Sequence, residues 1–123
     1  MELGQIVYIS LLIPLVMVVA GIFFRNGIPH KVNWWAGYRT SMACKNQDTW
    51  VFAHKYLAKL WIPIGIIFML LSIGTVIFTQ RGTFTYETWL WIMGAQFLAF
   101  LLVTFIPTET ALRKTFDKQG NRK

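Results

Sequence analysis

Residues 60–79 read LWIPIGIIFMLLSIGTVIFT, twenty residues without a charge, bounded by Lys59 before and Arg81 after. About 20 apolar residues, at about 1.5 Å of rise each, carry one helix across the hydrocarbon core of a bilayer. The stretch does not alternate with period two, as a barrel strand must. It holds Pro63, Gly65 and Gly74, which membrane helices tolerate and which mark kinks or close helix contacts. Two more runs share this character. Residues 6–24 are uncharged throughout and include Pro14; residues 84–106 carry one charge, Glu87, near their start, and include Gly94. No two glycines lie four apart, so a GxxxG seam is absent from the sequence. The reading is an all-α integral membrane protein, one domain over residues 1–123, with transmembrane helices at about 6–24, 60–79 and 84–106.

Composition agrees. Hydrophobic residues make up 55% of the chain and charged residues 14%, more apolar surface than one soluble domain of this length can hide. The net charge of +7 is of a size that also suits nucleic acid; in so apolar a chain it points to an anionic membrane surface, and no nucleic-acid partner is expected. The single Cys44 has no partner for an internal disulfide, and His30 and His54 lack zinc-motif spacing. The first five residues carry Glu2 and no Lys or Arg. The run that follows is also longer than a signal-peptide core, so it is expected to stay as a membrane helix.

The loops give orientation. Residues 25–59 hold Arg25, Lys31, Arg39, Lys45, Lys55 and Lys59 against Asp48. Residues 107–123 hold Arg113, Lys114, Lys118, Arg122 and Lys123 against Glu109 and Asp117, whereas the second loop has Arg81 and Glu87. Basic segments stay cytoplasmic. The prediction is a multi-pass cell-membrane protein with its N-terminus outside and its C-terminus in the cytoplasm, and three spans satisfy that parity. Trp89 and Trp91 near one end, and Trp34, Trp35 and Trp61 near the other, fit interfacial belts.

Asn46 is a good N-cap and Asp48 suits the first turn of a helix. A helix starting there and running on into the second span has about 33 residues and a length of about 50 Å, so its first turns project into the cytoplasm. Asp48, Lys55 and Lys59 share one stripe of it, while Trp50, His54, Leu57 and Trp61 share the opposite face.

Residues 37–57, GYRTSMACKNQDTWVFAHKYL, resemble the SdpI family of bacterial membrane proteins in its three-span form. The resemblance rests on Gly37, Arg39 and Thr40, then Asn46 and Trp50, then Ala53, His54 and Lys55 leading into a span; the basic segment 112–123 resembles the family's ending. The resemblance implies an immunity or signalling role. The family's namesake, which has further spans, protects a bacterium from a secreted membrane-active peptide toxin, senses that toxin and sequesters a transcriptional repressor. Membrane lipids, a peptide toxin or a cytoplasmic regulator are the implied partners.

The candidate binding set is Tyr38, Arg39, Thr40, Ser41, Asn46, Trp50, His54, Lys55 and Glu109. Arg39 offers a fixed fork of donors for phosphate or carboxylate, beside the hydroxyls of Tyr38, Thr40 and Ser41. It suits a lipid headgroup, a pair with Glu109 or Asp48, or ordinary snorkelling to interfacial phosphate. His54 reads as a proton acceptor or ligand group, or as a buried histidine satisfied by a hydroxyl or by Glu109. His54, Glu109 and Asp48 also form a conceivable metal set, though no metal is assigned. Glu109 serves as counter-charge at this level, or as an i+4 partner of Arg113. The basic tail serves topology and anionic lipid, or an acidic partner.

Gln96 is the deepest strongly polar side chain, and an interhelical hydrogen bond suits it better than a transport site. No catalytic triad, phosphate-cradling loop or paired carboxylates are legible, so neither an enzyme nor a cofactor is expected. The competing readings are a small transporter or channel subunit acting as an oligomer, and a lipid-modifying enzyme using His54 and Glu109. Three spans bury little surface by themselves, which leaves a homodimer open.

Overall fold

The computed structural model describes residues 2–33 and 37–123. Three helices follow in chain order: α1, Leu3–Arg25; α2, Gln47–Gln80; and α3, Tyr86–Thr115. Each is long and apolar enough to cross a membrane. The fold among the described residues is all-α, with one isolated bridge between Phe116 and Arg122.

α2 is the central element, and both α1 and α3 pack on it. α1 buries Ile6, Ser10, Pro14, Met17, Gly21 and Phe24, steps of three and four that draw one stripe along the helix. Outside the buried stripes, large apolar side chains stand open: Leu70 is 65% exposed and Leu98 57%. In water such a surface costs about 25 cal/mol per Å²; acyl chains solvate it without that cost, so lipid is the solvent it fits.

Lipid supplies no hydrophobic drive for helices to associate, so close approach and polar contacts must hold them. Glycine gives the close approach between α1 and α2. A Cβ on Gly21 would stand 2.9 Å from Ile62 Cγ1, and one on Gly65 would stand 2.9 Å from Val18 Cγ2. Indole and amide groups give the polar contacts. Trp61 Nε1–H donates to Thr104 Oγ1 at 2.9 Å, joining α2 to α3, and Trp89 Nε1–H donates to Ser10 Oγ at 2.8 Å, joining α3 to α1. Gln96 Nε2–H donates to Ser72 Oγ at 3.1 Å, the interhelical bond that the sequence suggests. Trp61 and Trp89 therefore turn inward instead of sitting in a belt, because each buried N–H finds a hydroxyl on a neighbouring helix. Trp91, at 80% exposure, faces outward. Trp34 and Trp35 lie outside the described residues.

α2 starts where the sequence places it. Asn46 caps it reciprocally with Thr49: the Asn46 side chain accepts from Thr49 N–H at 2.9 Å, and Thr49 Oγ1 accepts from Asn46 N–H at 3.0 Å. The helix then runs 34 residues without interruption. Over its first turns it is covered on two adjacent stripes, Thr49, Ala53 and Leu57 beside Trp50, His54 and Ala58, and from Trp61 onward on one. The densest packing is thus at the end of the bundle that carries the first loop, where Tyr38, Ala43, Ala53, Leu57, Leu112 and Phe116 cluster.

α3 continues through Pro107 to Thr115, past the segment that reads as membrane-spanning. Proline removes one helical hydrogen bond, and packing offsets the loss: Thr108 and Leu112 are fully buried beyond it. The chain then turns back. Gly120 adopts φ +88°, Asp117 N–H donates to the Asn121 carbonyl at 2.8 Å and Lys123 N–H donates to the Thr115 carbonyl at 3.0 Å. Phe116, 1% exposed, meets the Phe52 ring edge-on at 5.4 Å.

Candidate functional site

The first loop, the opening turns of α2, the end of α3 and the folded tail meet at one end of the bundle. Gly37 sets their geometry. Its φ of +102° is a left-handed conformation that side chains resist, and a Cβ there would lie 2.6 Å from His54 Nε2 and 3.0 Å from Trp50 Cη2. This close approach lets the next residue, Tyr38, donate its backbone N–H to His54 Nε2 at 2.8 Å. His54 Nδ1 sits 2.7 Å from the Trp50 carbonyl. Because Nε2 accepts, the ring proton belongs on Nδ1, and both nitrogens of a neutral imidazole are used. The ring is 3% exposed, with Phe24 edge-on at 4.7 Å and Trp50 at 4.2 Å. Burial pushes its pKa below the ordinary histidine value, opposed in part by the bond to the Trp50 carbonyl. Trp50 Nε1–H, in turn, donates to the Pro29 carbonyl at 2.9 Å.

Tyr38 ties this loop to α3. Its hydroxyl donates to Glu109 Oε1 at 2.7 Å, and its ring packs on Phe105 at 5.7 Å. Burial raises the phenol's pKa, and the hydrogen bond to the Glu109 carboxylate and that group's charge raise it further, so Tyr38 is fixed as the donor. Asn46 has a second task beside its cap: its Nδ2–H donates to the Gly120 carbonyl at 2.7 Å. Asp48 takes a bidentate pair from Arg122, Nε at 2.8 Å and Nη2 at 2.9 Å, and that guanidinium lies 5.0 Å over the Phe116 ring. Gln47 Nε2–H bonds the His30 carbonyl.

In front of this frame opens a cavity of about 840 Å³. Thr40 and Ser41 line it from the loop, Glu109 and Arg113 from α3, and Met42 and Phe116 give it an apolar flank. Lys45, Lys118 and Lys123 complete its basic rim, against Glu109 and Asp117. Cations outnumber carboxylates, so the cavity favours an anionic group, and its flank accepts apolar atoms. A second cleft of about 520 Å³ lies between α1 and α3. It is lined by Ala20, Phe100, Leu101 and Phe105, with Arg39 and Thr40 among its polar residues.

The sequence-derived set thus divides into three. Thr40, Ser41 and Glu109 line the larger cavity, and Arg39 with Tyr38 borders the neighbouring cleft. Asn46, Trp50 and His54 form the frame, with His54 buried as one of its two readings has it, its partners being backbone groups. Lys55 is exposed on another side of α2 and lines a separate cavity. Among the described residues no three His, Cys, Asp or Glu side chains gather as a metal site. Sequence reasoning missed Lys45, Arg113, Phe116, Lys118 and Lys123 as cavity residues. Asp117-Lys118-Gln119-Gly120 carries a legible turn signal, but the surface that receives the turn belongs to the opposite end of the first loop.

Fold and site together define a three-span helical membrane protein with a folded polar cap. The chain matches the SdpI/YfhL protein family over residues 30–107, and it belongs to that family. It is also 28% identical over 106 residues to the uncharacterized protein YfhL of Bacillus subtilis (strain 168), a match covering 85% of this chain and 86% of that protein. No solved structure matches.

Proposed function

We propose that this chain is a cell-membrane protein of SdpI immunity or signalling type that captures an anionic peptide, lipid or protein partner at the cytoplasmic interface. The carrying observation is the cavity of about 840 Å³, with Thr40, Ser41, Lys45 and Arg113 on walls held by the Tyr38–Glu109 bond. Charge bias in the loops supports its placement on the cytoplasmic side. Thr40 and Ser41 hydroxyls accept or donate to the partner, Lys45 and Arg113 meet its charge, and Arg39 presents a fork of donors at the adjoining cleft. Trp50 and His54 act behind the wall, holding the loop in register.

Native mass spectrometry of the protein released from its own membranes tests this, with Arg39→Ala and Glu109→Gln beside the wild type. A defined adduct on the wild type is expected that weakens in Arg39→Ala and strengthens in Glu109→Gln, which removes a carboxylate from the basic cavity and leaves an oxygen to accept from Tyr38. An adduct indifferent to both substitutions contradicts the capture reading.

A further inference from the structure

A separate cavity of about 440 Å³ lies where α1 ends against α2, lined by Arg25, Lys55, Lys59, Ala58, Ile62 and Pro63. It shares no lining residue with the two cavities described above. Three of its six lining residues are cations and none is an acid. Lys55 and Lys59 are one helical turn apart, so they rise from the same face of α2; Arg25 is the last residue of α1. All three are exposed. Like charges gathered this way repel one another in the absence of an anion, and none of these three donates in the salt bridge between Arg122 and Asp48.

The floor has a different chemistry. Ala58, Ile62 and Pro63 are apolar; Ala58 lies between Lys55 and Lys59 along α2, and Ile62 and Pro63 follow them into the segment that reads as membrane-spanning. Pro63 has no N–H, so the Lys59 carbonyl one turn earlier lacks its i+4 donor and remains an acceptor beside the cations. We infer that this cavity seats one anionic glycerophospholipid. Its phosphodiester lies among Arg25, Lys55 and Lys59. A headgroup hydroxyl meets the Lys59 carbonyl, and the first methylenes of an acyl chain run over Ile62 and Pro63. Charge complementarity selects the headgroup, and the apolar floor, which faces the bilayer, selects a lipid over a soluble anion.

The inference is independent of the partner proposed for the larger cavity. The test titrates the full chain in neutral detergent with phosphatidylglycerol, then with phosphatidylcholine, and counts retained lipid by native mass spectrometry. Neutral micelles remove the diffuse attraction of a charged surface. The wild type is expected to retain one phosphatidylglycerol in preference to phosphatidylcholine. Lys55→Gln/Lys59→Gln is expected to weaken that binding about thirtyfold, at about fivefold per cation. Lys31→Gln/Lys114→Gln removes the same charge from exposed positions at the same end of the bundle and is expected to retain the lipid. Equal loss in both pairs, no loss in either, or equal retention of phosphatidylcholine by the wild type overturns the assignment.

Discussion

Gly37, His54 and Tyr38 show how little chemistry holds the cap. His54 is an acceptor for one backbone N–H and a donor to one carbonyl; the acceptor bond needs a neutral ring, because a protonated Nε2 has no lone pair for the Tyr38 N–H. Its pKa lies below 6.5 in the folded protein, so the unfolded chain takes up the proton first. The stabilisation is therefore complete above about pH 6.5 and is lost as pH falls from there through the folded value. Unfolding in detergent is expected to show a midpoint that falls as pH drops below about 6.5 in the wild type, with a smaller fall in His54→Gln; identical profiles would remove His54 as the cause. Gly37→Ala places a Cβ 2.6 Å from His54 Nε2 on a backbone at φ +102°. It is expected to cost about 2 kcal/mol or more, read as a lowered unfolding midpoint and faster proteolysis of the first loop. Thr108 is the opposite case, since its buried hydroxyl has no partner. Thr108→Val keeps the shape and removes that unmet group, so its midpoint is expected to match or exceed the wild type by about 1 kcal/mol.

At the scale of elements, much of the fold was legible in the sequence, and the reasons are local. Three apolar runs of bilayer length, with Glu87 the one charge among them, announce three helices. Asn46 announces the start of α2 because its cap is made with a residue three positions on. What was illegible depends on contacts between distant parts of the chain. α3 passes Pro107 because Leu112 is buried with Ala53 and Leu57, a fact that no window around residue 107 contains. Trp61 and Trp89 read as interfacial residues from position alone; their actual partners, Thr104 and Ser10, are 43 and 79 residues away. The tail reads as a basic run for topology, anionic lipid or an acidic partner, yet Phe116 is buried and Gly120 is hydrogen-bonded to Asn46. Asn46→Ala breaks both the helix cap and that tail contact. Hydrogen exchange is expected to quicken in residues 116–123 as well as 47–50, with a stability loss of about 1–2 kcal/mol; exchange confined to the helix start would show that the tail is held elsewhere. Asp48→Asn loosens an ion pair whose side chains are about half exposed, so an unfolding midpoint close to that of the wild type is expected.

The whole molecule is a membrane bundle with unequal ends. Apart from Gln96 with Ser72 and the inward tryptophans, the spans offer lipid an apolar surface, and the polar architecture is concentrated in the cap. Of the candidate site, the sequence identified Thr40, Ser41 and Glu109 through residue chemistry and shared membrane level. It missed Lys45, Arg113 and Lys118, because a cavity wall made by a returning tail leaves no periodic mark. The central claim is that this cavity holds a specific partner. A photoreactive side chain at Ser41, on the cavity wall, and another at Leu70, on the open face of α2, test it directly in intact cells. The account predicts a discrete adduct from position 41 that fades when Arg113→Gln is added, and diffuse lipid labelling from position 70. The same diffuse labelling from both positions would contradict it.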